Sequence, residues 1–211
     1  MEGIPVIAYA SKYYDKLLAA TWEHLQIVVI TLLFSLVLAA LLTVLCSCSR
    51  TVSRVLLHLF SMIYSVPSLA LLALLIPITG LGRNTAIVAL VIYNQYLLLR
   101  NFLAGLDGVD RGVVEAATGM GMTHLQLLWK VKIPLAKKAL IAGLRIALVS
   151  TVGIATIAAS INAGGLGTIL FDGLRTMNTA KILWGSLLSA VLAVGIDRLL
   201  SLVERKSEKS A

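Results

Sequence analysis

Between Glu23 and Arg50 the sequence contains no Asp, Glu, Lys or Arg. A helix needs about 20 apolar residues to cross the hydrocarbon core of a bilayer, and residues 25–45 supply them. Backbone polar groups inside lipid must be satisfied within the segment, so a run of this length is read as a spanning helix. Four further apolar stretches follow, at residues 56–76, 86–99, 139–161 and 182–202. The chain is therefore expected to be an all-α integral membrane protein with about five transmembrane helices. It forms one transmembrane domain over residues 1–211, with a membrane core over 20–203. The composition agrees, since 59% of residues are hydrophobic and only 13% are charged, too apolar for an ordinary soluble domain. Residues 1–22 carry Tyr9, Lys12, Tyr13, Tyr14, Lys16 and Trp22, as expected of an interfacial lead-in. They lack the basic start and apolar stretch of a cleavable signal. The tail, residues 204–211, is charged and expected to be disordered.

The spans carry readable surfaces. Thr31, Ser35, Ala39 and Thr43 recur every fourth residue in the first, which lets another helix approach closely. Pro67 removes a backbone hydrogen bond from the second and predicts a kink. The third holds Tyr93, Asn94, Gln95 and Tyr96. Polar amides facing lipid are costly, so these either face a water-filled path or tie helices together. The fourth presents a stripe of Gly143, Ala147, Thr151, Ala155 and Ala159, which predicts a close helix contact within the subunit or at a dimer seam. Arg145 lies inside that span and can snorkel to the near surface or pair within the bundle, with snorkelling the favoured expectation. Residues 166–177 read as a short helix at the outer surface.

The net charge of +8 could suggest nucleic acid, but the basic residues are dispersed among the spans. With five spans, Arg50, Arg54, Arg100, Arg111, Lys130, Lys132, Lys137, Lys138, Arg198, Arg205, Lys206 and Lys209 fall on one side, with Arg145 nearby. Lys12, Lys16, Arg83, Arg175 and Lys181 fall on the other. The richer face is expected to be cytoplasmic. The protein is then multi-pass in the cytoplasmic membrane, with the N-terminus outside and the C-terminus inside.

On that inner face lies the stretch 110–134, between the third and fourth spans. Asp110 can cap a short helix that contains Glu115, Ala116 and Ala117. Gly119 and Gly121 are expected to end it in left-handed conformation. Thr123 and Gln126 form a capping box, so a second helix starts at His124. Pro134 disfavours helix at Ile133 and is expected to stop it. The product is a rigid cytoplasmic helix-turn-helix suited to docking on a partner.

Other chemistry is not indicated. No Walker A sequence is present. The spans show no paired carboxylates and no nucleophile arrangement, and no buried acid of the kind that serves a secondary transporter. Cys46 and Cys48 form a Cys-x-Cys pair with no further ligand close by, and His24, His58 and His124 are scattered. No metal and no cofactor are expected on this chain, and no enzyme acting alone. A secondary transporter driven by an ion gradient and a membrane scaffold without a pore are the less favoured alternatives.

The spacing Glu115-Ala116-Ala117, three residues, Gly121, nine residues, then Val131-x-Ile133-Pro134 resembles the cytoplasmic coupling loop of permease subunits of bacterial ATP-binding-cassette importers. Ser65 to Ala70, Val113 to Met122 and Ala163 to Gly173 resemble the glycine betaine, carnitine and choline branch of that family. The resemblance covers about residues 20 to 203. Lys137-Lys138, Asn162 and the 93–96 stretch depart from the family's usual residues. The resemblance implies an importer permease for a small osmoprotectant, with an amino acid or other small solute as the alternative. It implies cytoplasmic ATPase subunits that bind ATP and Mg, a separate extracytoplasmic substrate-binding protein, and a second permease subunit, identical or paralogous. Glu115, Ala116, Ala117, Gly119, Gly121, Thr123 and Pro134 would couple to the ATPase. Tyr64, Tyr93, Asn94 and Tyr96 would line the translocation path. The aromatics do not cluster as a cage in the sequence, so selectivity is expected mainly in the binding protein.

Overall fold

The computed structural model describes residues 6–208, and every regular element in it is helical. A short helix α1 (Val6–Lys12) precedes α2 (Tyr14–Cys48). Then come α3 (Arg50–Tyr64) and α4 (Ser68–Thr79), followed by α5 (Arg83–Asp107). The connection 108–132 holds α6 (Arg111–Gly119), α7 (His124–Leu127) and a π-helical segment Leu128–Lys132. The chain closes with α8 (Ile133–Ala158), α9 (Leu166–Arg175) and α10 (Thr179–Glu208). Among the described residues four helices are long and apolar enough to cross a membrane, and α3 with α4 makes a fifth if the bent pair counts as one span.

Pro67 does more than kink the second span. The axes of α3 and α4 differ by 99°. Pro67 cannot donate to the helix and forces extended geometry on its neighbourhood, so it opens α4 rather than sitting inside a continuous helix; its ψ is 138°. The third span is longer than the apolar count suggests. At 25 residues, α5 runs about 37 Å at 1.5 Å per residue. Its polar residues are absorbed by neighbours, so they do not end it.

Pro134 does not stop a helix. Ile133 is helical, with φ −61° and ψ −47°, and Pro134 sits in the first turn of α8. The chain stays helical from His124 to Ile161. The wider turn just before it explains this: Ile133 N–H donates to the Leu128 carbonyl, a π-type bond. The offset relieves the ring of the carbonyl that an unbroken α-helix would press against it.

The core forms where α2, α5, α8 and α10 meet. Ile27, Val28, Leu90, Leu148, Val152 and Ala155 are buried together, with Leu192 and Ile196 against them. The small-residue stripe of α8 lies inside the subunit. A Cβ on Gly143 would fall 2.6 Å from the Asn101 Cβ of α5. Ala147 packs with Ala39 and Leu98, and Thr151 and Ala155 are fully buried.

Two charged expectations change. Arg145 does not snorkel; it pairs with Asp197 and, at 3.2 Å, with Glu204, both on α10. These carboxylates lie one above the other on the helix face toward α8, so the last helix brings two acids onto one guanidinium. The pairing also accounts for the tail: α10 continues through Glu204 to Glu208 where disorder was expected. The remainder of that tail, and the first five residues of the lead-in, lie outside the described residues.

Candidate functional site

The connection between α5 and α8 is built as an elbow. Asp110 accepts from the Val113 N–H at 3.2 Å and caps α6. At the other end of α6, Gly121 N–H donates to the Thr118 carbonyl and Met122 N–H to that of Ala117. This double closure needs left-handed geometry at one residue, and Gly121 supplies it with φ +80°. Gly119 does not share the task; it is the last residue of α6. The capping box is present: Thr123 N–H donates to Gln126 Oε1 at 2.9 Å, and Gln126 N–H to Thr123 Oγ1 at 3.3 Å.

One face of the elbow is anchored. Ala117, Leu127 and Leu128 are buried, and Leu128 joins Leu106 and Ala136, with Val44 and Ile133 beside them. The other face is open. Glu115, Ala116 and Pro134 are exposed, and among the described residues Glu115 makes no hydrogen bond or ion pair. Glu115 therefore does not hold the elbow's shape within this chain. Sequence reasoning missed three side chains here. Met120, Leu125 and Trp129 are 73%, 55% and 60% exposed. Exposed large apolar side chains in a polar connection are of the kind that partners cover. The signal was available in the sequence, since all three stand in the polar and basic segment between the third and fourth spans.

The second cluster lies at the break between α3 and α4. Tyr93 Oη donates to the Val66 carbonyl at 2.6 Å and satisfies a backbone group freed by the break. Tyr64 packs edge-on against Tyr93, with ring centres 5.7 Å apart, and lies 4.9 Å from Tyr96. Three rings thus do cluster, contrary to the sequence expectation. They come from helices nearly thirty residues apart, so spacing along the chain could not show it. Asn94 belongs elsewhere. It is 2% exposed, and its amide donates to Ser35 Oγ of α2 and Thr151 Oγ1 of α8, at 3.2 and 2.9 Å. Gln95 Nε2 donates to the Ser35 carbonyl. Asn94 thus ties α5 to α2 and α8, Gln95 ties α5 to α2, and neither lines an open surface.

The end opposite the elbow is closed by a loop and α9. Asn162 and Gly165 adopt positive φ, 63° and 78°. Glu23 of α2 accepts from the Gly165 N–H at 3.1 Å. On α9, Asp172 binds Lys181 and Arg175, and these two cations hold its carboxyl below the usual carboxylate range.

The sequence pattern of the family described as "Binding-protein-dependent transport system inner membrane component" matches residues 31–209. The chain is 35% identical to the carnitine transport permease protein OpuCB of Listeria monocytogenes, covering 94% of this chain and 91% of the relative. It is 35% identical to the choline transport system permease protein OpuBB of Bacillus subtilis, over 95% and 93%. Among solved structures, the inward-facing MetNI methionine ABC transporter aligns with a TM-score of 0.81 and 26% identity, covering 90% of this chain and 96% of that one.

Proposed function

The chain belongs to the family of binding-protein-dependent transport system inner membrane components, and from that premise we propose that it is the permease subunit of an ATP-driven importer for a small osmoprotectant of glycine betaine, carnitine or choline type. The observation that carries this reading is the likeness over nine-tenths of the chain to permeases named for those three solutes.

The elbow is the ATPase-facing surface. Its capped, left-handed turn makes it rigid, and its exposed Glu115, Met120, Leu125 and Trp129 suit a cleft in a cytoplasmic ATP-binding subunit. The excess of Lys and Arg at this end supports a cytoplasmic elbow and C-terminus and an outer N-terminus. Two permease subunits, identical or paralogous, enclose the pore, and a separate binding protein delivers solute at the α9 end. ATP and Mg belong to the partner ATPase. ATP drives the cycle because it binds the closed ATPase pair more tightly than the open one. Elbows seated in that pair move with it, and the helices behind them expose the pore alternately to each side. Continuous helix from His124 to Ile161 gives a stiff lever from the elbow into the core.

The test is uptake in a host without osmoprotectant importers, expressing this permease with its ATPase and binding protein. Radiolabelled glycine betaine, carnitine and choline are compared with methionine and glutamine. Uptake of ammonium solutes that ceases when the ATPase is inactivated is the expected result. ATP-dependent uptake of an amino acid alone would keep the importer and replace the solute.

A further inference from the structure

The tyrosine cluster already holds a cation. The Arg100 guanidinium carbon lies 5.8 Å from the Tyr96 ring centre, and its Nη1 donates to Tyr96 Oη at 3.0 Å. Cation–π attraction of this kind favours guanidinium and ammonium groups over the ring face. Arg100 also differs from Arg145 and Arg175, which bind carboxylates. Among the described residues no carboxylate pairs with it. It is exposed, while Tyr64 and Tyr96 are half-buried. Arg100 sits seven residues before the end of α5, about 10 Å along the axis, so its charge opens toward water rather than lipid. The rings themselves stand where the second span is broken, and broken spans are tolerated within the membrane where they border protein or a water-filled cavity.

We infer that Tyr64, Tyr96 and Arg100 form a subsite in the permease for a zwitterionic quaternary ammonium, with the ammonium on the tyrosine faces and the carboxylate on Arg100. Tyr93 positions the rings: its hydroxyl is committed to Val66 and its ring to Tyr64. Arg100 occupies the Tyr96 face as a placeholder while no ligand is bound. An arriving trimethylammonium group takes that face. The guanidinium, released from it, turns its free N–H groups to the carboxylate, where a charge-assisted bond is stronger than the one to a phenol oxygen. Choline, which has no carboxylate, gains the aromatic contact alone. The solute is thereby read a second time, after the binding protein, inside the pore. This inference rests on the osmoprotectant reading above.

The experiment reconstitutes the permease with its ATPase and binding protein in proteoliposomes. It measures uptake of glycine betaine and choline and, separately, binding-protein-stimulated ATP hydrolysis. Tyr96→Leu is expected to lower glycine betaine uptake about tenfold, the scale of a desolvated cation–π contact. Tyr96→Phe, which keeps the ring, should retain several times more uptake than Tyr96→Leu. Arg100→Gln should lower glycine betaine uptake about tenfold, the loss of one charge-assisted bond, and choline uptake much less. Stimulated ATP hydrolysis that persists in these variants shows an assembled, coupled complex. Equal loss of both solutes in Arg100→Gln, or full glycine betaine uptake by Tyr96→Leu, overturns the subsite. A wild-type complex that carries an amino acid but no ammonium solute overturns the osmoprotectant reading itself, and the subsite with it.

Discussion

Arg145 shows what one side chain does in this bundle. Its guanidinium holds Asp197 and Glu204 across the α8–α10 contact, and roughly a third of its side chain remains exposed. Removing it leaves two carboxylates side by side without a counter-charge. Arg145→Met is therefore expected to destabilise the fold, because it removes the counter-charge of two neighbouring carboxylates. The added change Asp197→Asn should recover part of the loss. Thermal melting of the purified permease–ATPase complex checks both; a melting temperature unchanged by Arg145→Met would show that the contact is ornamental to stability.

At the scale of elements, glycines decide where helices can meet and turn. A Cβ on Gly167 would stand 2.6 Å from the Ala159 Cβ and closer still to the Thr156 carbonyl. Gly167→Ala must push α9 away from α8 and is expected to cost about 2–3 kcal/mol or more, in the range of overpacked cores. Gly153, within α8, meets nothing within 4 Å. Gly153→Ala should be neutral or stabilising by up to about 1 kcal/mol from helix propensity. Folded yield and melting temperature of the two variants give the comparison, and equal damage from both would contradict the packing assignment. The elbow turns on Gly121. Its space is open but its φ is +80°, a conformation β-branched residues rarely adopt. Gly121→Val should insert normally yet uncouple, with substrate-driven ATP hydrolysis of the reconstituted complex falling severalfold; unchanged hydrolysis would refute the coupling role.

The whole molecule has two chemically distinct ends, and its orientation can be read directly. In a background with Cys46 and Cys48 replaced, Met120→Cys should react with a membrane-impermeant maleimide only after the inner face is exposed. Met177→Cys, at the α9 end, should react from outside; the reverse pattern would invert the topology. Much of this architecture was legible in order along the chain. Apolar stretches determined the helical class and the approximate number of spans, because hydrocarbon leaves the backbone no other partner. Local capping chemistry determined the elbow, since Asp110, Gly121 and the Thr123–Gln126 box act on neighbours a few residues away. Distant contacts decided the rest. The break at Pro67 frees the Val66 carbonyl, and the Tyr93 hydroxyl that donates to it comes from a helix far along the chain. Whether Arg145 snorkels depends on carboxylates fifty residues later. The three tyrosines meet only because α3 and α5 pack side by side. Periodicity reports which face of a helix is apolar or small; it carries no information on which other helix covers that face, and the tertiary structure alone made that choice.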